Sequence, residues 1–120
     1  GLAAAFEWIE AQGERARLNA ARAPMQHLIQ ELQGMPDVRL FHGGESHDLP
    51  VLSFTHQRFD PAEIGAILAG EEIHCRGGFH CAPWVHDLLG TTAGGTLRVS
   101  TGPATTTSDI DQLVAVLRAL

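Results

Sequence analysis

Apolar positions recur along this chain first at helical and then at strand spacing. Between Leu2 and Gln12, Leu2, Phe6, Ile9 and the alanines fall on one helical face, with Glu7 and Glu10 on the other, and Gly13 breaks or bends the run. From Glu14 to Gln33, Leu18, Ala21, Met25, Leu28, Ile29 and Leu32 repeat the pattern. Pro24 should kink this second helix or start a new segment, and Gly34 with Pro36 ends it. Val38, Leu40 and Phe41 then predict a strand over Asp37 to His42, and Val51, Leu52 and Phe54 a strand over Leu49 to His56. The stretch from Gly43 to Asp48 reads as a turn too short for a parallel crossover, so the pair is expected to be antiparallel.

Stronger punctuation governs the second half. Asp60 is placed as an N-cap, Pro61 as the first helical residue and Glu63 as the partner in a capping box; Ile64, Ile67 and Leu68 form the apolar face and Gly70 closes the helix. Ile73 to Arg76 predicts a brief strand, Trp84 to Leu89 a short helix and Thr96 to Ser100 another strand. Thr106 to Asp109 caps a last helix with Ile110, Leu113, Val114 and Leu117 inward. The alternation predicts an α+β fold: a small antiparallel sheet with helices packed on one face.

At 120 residues, with 44% hydrophobic and 18% charged positions, the chain suits one compact domain. A net charge of −6 argues against nucleic acid or an anionic membrane as partner, and no apolar run approaches the length of a membrane span. No signal-peptide pattern precedes the first helix, so the expected location is cytoplasmic. All eight basic residues counted as Lys or Arg are arginines. Two cysteines, Cys75 and Cys81, make no disulfide framework.

Chemistry gathers around Arg76-Gly77-Gly78-Phe79-His80-Cys81-Ala82-Pro83-Trp84. Pro83 suits a first helical position and Gly90 the stop, which sets Cys81 at a helix amino end where free N–H groups favour a thiolate. His80, when protonated, would raise the local positive potential; it could tune the thiol, shuttle a proton or be a simple loop residue. Arg98, in the alternating run Thr96-Leu97-Arg98-Val99-Ser100, is a fork on a rigid mount that suits a carboxylate. A nucleophilic sulfur beside a carboxylate clamp reads as chemistry on an amino acid. Trp84, His86 and Asp87 read as solvent-facing or packing residues, and His27, His42, His47 and His56 as structural. The pairs His74-Cys75 and His80-Cys81 match no standard zinc spacing, and strand alternation would point His74 and Cys75 to opposite faces, with Cys75 buried.

The segment from Arg76 to Ala82, then Leu89-Gly90-Thr91, Gly95 to Ser100 and Ser108 to Asp111, resembles the carboxy-terminal part of class V aminotransferase-fold enzymes. Within them it is most similar to the cysteine desulfurase and selenocysteine lyase branch, the SufS-like group II. The resemblance implies the small domain of a fold-type I transferase or lyase that uses pyridoxal phosphate. It implies residues 1–35 as a helical linker from a large domain and 36–120 as the small α+β domain. It assigns Cys81 to attack the sulfur of cofactor-bound L-cysteine (or selenocysteine), giving alanine and a Cys81 persulfide for a sulfur-acceptor protein. Arg98 takes the substrate carboxylate, and Arg76 either joins it or braces the loop.

Family members hold the cofactor on a lysine, and this chain has none. The resemblance therefore implies a fragment, inert alone, of an enzyme whose full length forms a homodimer. An apolar face left bare where the large domain should sit would promote self-association. The run Pro83-Trp84 after the cysteine and the Thr101-Gly102-Pro103-Ala104-Thr105 segment depart from common family patterns. Two other readings stand beside it: a class V aminotransferase or lyase that does not use Cys81 as persulfide carrier, and a free-standing binding module.

Overall fold

The computed structural model describes residues 1–42 and 49–120; the turn expected at Gly43 to Asp48, with His47, lies outside the described residues. Helix α1 spans Leu2–Gln12 and α2 Glu14–Gln33, joined at Gly13, whose φ of 79° is the bend the sequence asks for. Pro24 begins no new segment: α2 runs on through it. Pro24 lies on the buried face with Met25, Leu28, Ile29 and Leu32, so packing outweighs one missing N–H. In the same turn the Thr101 hydroxyl donates to the Ala21 carbonyl at 2.6 Å, which ties α2 to the far end of the sheet.

Strands β1 (Val38–Phe41), β2 (Val51–His56), β3 (Arg76–Gly78) and β4 (Thr96–Ser100) form one antiparallel sheet in the order β1-β2-β4-β3. Between them lie α3 (Pro61–Gly70) and α4 (Pro83–Leu89), and α5 (Thr107–Arg118) closes the chain. The α3 start is as the sequence predicts. Asp60 Oδ1 accepts from the Ala62 and Glu63 N–H groups at 2.7 and 2.9 Å, while Glu63 Oε2 accepts from Asp60 N–H at 2.9 Å. Thr106 and Asp109 make the matching box on α5.

Helices α2, α3 and α5 cover one face of the sheet, and the core lies between. Leu52 and Phe54 from β2 and Leu97 and Val99 from β4 meet Met25, Leu28, Ile64, Leu68, Ile110, Leu113 and Leu117 there. Strand alternation turns Arg39, Ser53, Thr96, Arg98 and Arg76 to the other face. The fold is thus the α+β arrangement expected. Helix α1 contributes no buried residue and leaves Leu2, Phe6 and Trp8 exposed.

One boundary differs. The strand expected over Ile73 to Arg76 is found at Arg76–Gly78, and the glycines are part of the sheet. A Cβ on Gly77 would lie 2.5 Å from the Pro61 carbonyl oxygen, and one on Gly95 would overlap the Gly78 carbonyl. Only bare backbone can pack β3 between α3 and the start of β4 in this way. Cys75 therefore sits just before the strand, half-buried, and the alternation argument for His74 and Cys75 has no strand to act on.

Gly95→Ala should cost about 3 kcal/mol or more, because it adds both the overlap and a strained φ of +80°. Gly70→Ala, in the last turn of α3 and facing open space, should stabilise by about 0.5 kcal/mol. Urea unfolding of the two variants measures both.

Candidate functional site

The site is built at the β3–β4 end of the sheet's open face. Arg76 on β3 lies directly opposite Arg98 on β4, which is in turn opposite Ser53 on β2. Like charges at directly opposed positions on neighbouring strands are unfavourable. Among the described residues neither has a carboxylate partner; the ion pairs there join Arg118 to Glu31 and His27 to Asp111. A planar carboxylate is the group that guanidinium geometry fits best, which keeps the pair a candidate anion site.

From Gly78 the chain enters a tight turn. The Ala82 N–H donates to the Phe79 carbonyl at 2.9 Å, and the two residues between, His80 and Cys81, have φ of 51° and 62°. Both signs are those of a type I′ turn, which ordinarily takes Asn-Gly. For residues with a Cβ this conformation costs roughly 1–2 kcal/mol each. Strain of this kind persists only where surrounding contacts enforce it, and it gathers at working sites. Cys81 is exposed on this turn and lies one residue before Ala82, the N-cap of α4. Pro83 opens α4 and Gly90, with φ of 69°, closes it, both as expected.

His80 turns its ring back toward the sheet. Its Nε2–H donates to the Thr96 carbonyl at 3.0 Å, and Nδ1 is buried without a partner among the described residues. Burial, and then the charges of Arg98, His86 and Arg76, hold its pKa below the ordinary 6.5; the Thr96 hydrogen bond opposes them only in part. A neutral ring supplies no positive potential to the thiol; here His80 is an anchor of the turn. Its bond to Thr96, two residues before Arg98, places it at the arginines' end of the sheet.

His86 is the residue that sequence reasoning missed. It is 3% exposed, the only buried residue of α4. Its Nε2–H donates to the Phe79 carbonyl at 3.1 Å, and in the neutral ring Nδ1 accepts from the Thr91 hydroxyl at 2.7 Å. The ring also meets Phe79 edge-on at 5.2 Å. The available signal was a histidine in the last turn of a short helix, with a hydroxyl just beyond the Gly90 stop. Trp84 and Leu88, on the other side of α4, are 82% and 89% exposed. Burial pushes the Cys75 thiol up to about 11, which marks it as inert. Among the described residues no three His, Cys, Asp or Glu side chains gather as metal ligands, and no helix is long and apolar enough to cross a membrane.

The chain matches the class V aminotransferase family over residues 1–113. It is 35% identical over 121 residues to the cysteine desulfurase CsdA of Escherichia coli, covering all of this chain and 29% of that protein. It is 32% identical over 120 residues to a probable cysteine desulfurase of Mycobacterium leprae, of which it covers 19%. Its fold superposes on the crystal structure of Escherichia coli CsdA in its S-sulfonic acid form with a TM-score of 0.87 and 30% identity, over 98% of this chain and 28% of that one. The chain thus spans less than a third of the length of these relatives.

Two measurements test the site. With its thiol pushed up to about 11 and half-buried, Cys75 should be alkylated by iodoacetamide at pH 8 far more slowly than the exposed Cys81. His80 binds a proton less readily folded than unfolded, so its contribution to stability is complete above pH 6.5 and declines as the pH falls below it. Unfolding free energies compared from pH 7 to 5 should show wild type losing stability relative to His80→Asn on acidification; a constant difference would refute this.

Proposed function

The chain belongs to the class V aminotransferase family, and from that premise we propose that it is the small-domain part of a cysteine desulfurase-like enzyme. In this reading residues 1–35 link it to a large domain and residues 36–120 form the small domain. The observation that carries the proposal is the Arg76–Arg98 pair on neighbouring strands, unneutralised among the described residues, at the end of the sheet where a strained turn exposes Cys81. Exposed Leu2 and Phe6 on α1 and Trp84 and Leu88 on α4 support a chain that packs against further protein.

Pyridoxal phosphate is the cofactor this family reading implies. These residues do not fit its covalent attachment, since the 120 positions include no lysine, and the amine would come from sequence outside them. The group, when bound, supplies an electron sink for the substrate amino acid. What this chain supplies is the substrate side. Arg98, with Arg76 beside it, takes the α-carboxylate of L-cysteine and fixes its orientation. Cys81 as thiolate forms a bond to the substrate sulfur while the carbon–sulfur bond breaks. The carbon keeps the electron pair and is protonated to alanine, and Cys81 is left as a persulfide. Selenocysteine would react in the same way. A sulfur-acceptor protein would then take the sulfur from the exposed turn, and the whole enzyme would act as a cytoplasmic homodimer.

In the full-length protein, Cys81→Ser should lower alanine formation from L-cysteine by about 100-fold or more. Arg98→Lys should raise KM for cysteine about tenfold while leaving a smaller effect on kcat. The 120-residue chain alone should release no sulfide. Full desulfuration by Cys81→Ser would overturn the persulfide role and favour an aminotransferase or lyase that does not use this thiol.

A further inference from the structure

We propose that His86 and Thr91 form a clamp that positions Cys81 by holding its strained turn closed. The inference rests on the reading of Cys81 as the persulfide carrier, and it concerns two residues that do not touch substrate.

The turn has one hydrogen bond of its own, from Ala82 N–H to the Phe79 carbonyl. Against it stand two residues, His80 and Cys81, in the left-handed region. A single neutral hydrogen bond is worth too little to hold two such residues. The Phe79 carbonyl accepts a second bond, from His86 Nε2–H. That bond needs the proton on Nε2, and the Thr91 hydroxyl secures this tautomer by donating to Nδ1. Thr91 is itself fixed: it is buried, its N–H donates to the His86 carbonyl at 2.9 Å, and its carbonyl accepts from Gly95 N–H at 2.8 Å. Gly95 leads directly into β4, which carries Arg98. The clamp therefore connects the thiol turn to the arginine strand by a continuous path of hydrogen bonds. From the other side His80 Nε2–H fastens the turn to the Thr96 carbonyl. Cys81 is thus fixed relative to the carboxylate fork rather than left on a mobile loop.

The test is amide hydrogen exchange of the chain by NMR, with Cys81 alkylation read by peptide mass spectrometry. Thr91→Val removes the hydroxyl at nearly constant volume, and His86→Phe keeps a ring without the N–H. Each should speed exchange at the Ala82 amide about fivefold to tenfold, with the amides of Phe54 and Leu97 unchanged. The rate of Cys81 alkylation at fixed pH should move toward that of an unstructured peptide of residues 79–82. Thr91→Ser, and His86→Gln with its amide donor, should restore both readouts. If His86→Phe does not fold, the Thr91→Val and Thr91→Ser pair decides. Unchanged Ala82 exchange in folded Thr91→Val, or an equal rise across the core amides, would overturn the clamp.

In the full-length protein the clamp variants should lower kcat for desulfuration about tenfold and leave KM for cysteine in place, because the carboxylate fork is untouched. Selective exchange at Ala82 together with full activity of Cys81→Ser would keep the clamp and remove the persulfide reading; the reverse pair of results would remove the clamp alone.

Discussion

The structure depends on two places where backbone touches backbone with no side chain between. Gly77 lies against the Pro61 carbonyl, and Gly95 against Gly78. The first seats β3 on the amino end of α3; the second brings the start of β4 under the exit from β3. Together they fix where the chain leaves the sheet and therefore where Phe79 to Ala82 must turn. A Cβ at either point would push β3 off the sheet edge and separate Arg76 from Arg98. The glycines that look from the sequence like a loose loop are the tightest part of the fold.

Local signals were legible and long-range ones were not. Asp60-Pro61-Ala62-Glu63 reads as a helix start because every partner lies within three residues, and the structure has each bond in place. The same is true of Pro83 and Gly90 at the two ends of α4. The position of β3 was not legible, since Ile73 and Cys75 favour strand by residue type while Gly77 and Gly78 do not. What decided the matter was a close approach to Pro61, sixteen positions away. Pro24 shows the same contest: the local rule predicts a break, and five buried neighbours on one helical face override it.

The site divides along this line too. Cys81 and Arg98 stand out by residue type and setting, so the sequence nominates both as candidates. That Arg76 faces Arg98 is a matter of register, which no single segment contains. Nor do the letters His-Cys announce a left-handed turn, since they are poor residues for it. His86 escaped notice because its partners, Phe79 and Thr91, meet its ring only once the turn and α4 have folded together. His80 drew attention through its neighbour in sequence, yet its ring turns to the Thr96 carbonyl and to the neighbourhood of two arginines. Adjacency along the chain was a poor guide to which histidine serves which group.

The two features expected to cost this domain stability are also the two on which its proposed chemistry rests. Like charges directly opposed on neighbouring strands are unfavourable, and in the proposed reading an arriving carboxylate would relieve this as it binds. In that reading the pair would select anions in a chain whose net charge of −6 would otherwise repel them. In the same reading the left-handed residues at 80 and 81 would hold the Cys81 sulfur in one place before substrate arrives. Both costs fall on the open face, away from the apolar layer between the sheet and α2, α3 and α5. That separation lets a small domain tolerate strain at one end: the core is built from contacts that neither the fork nor the turn shares.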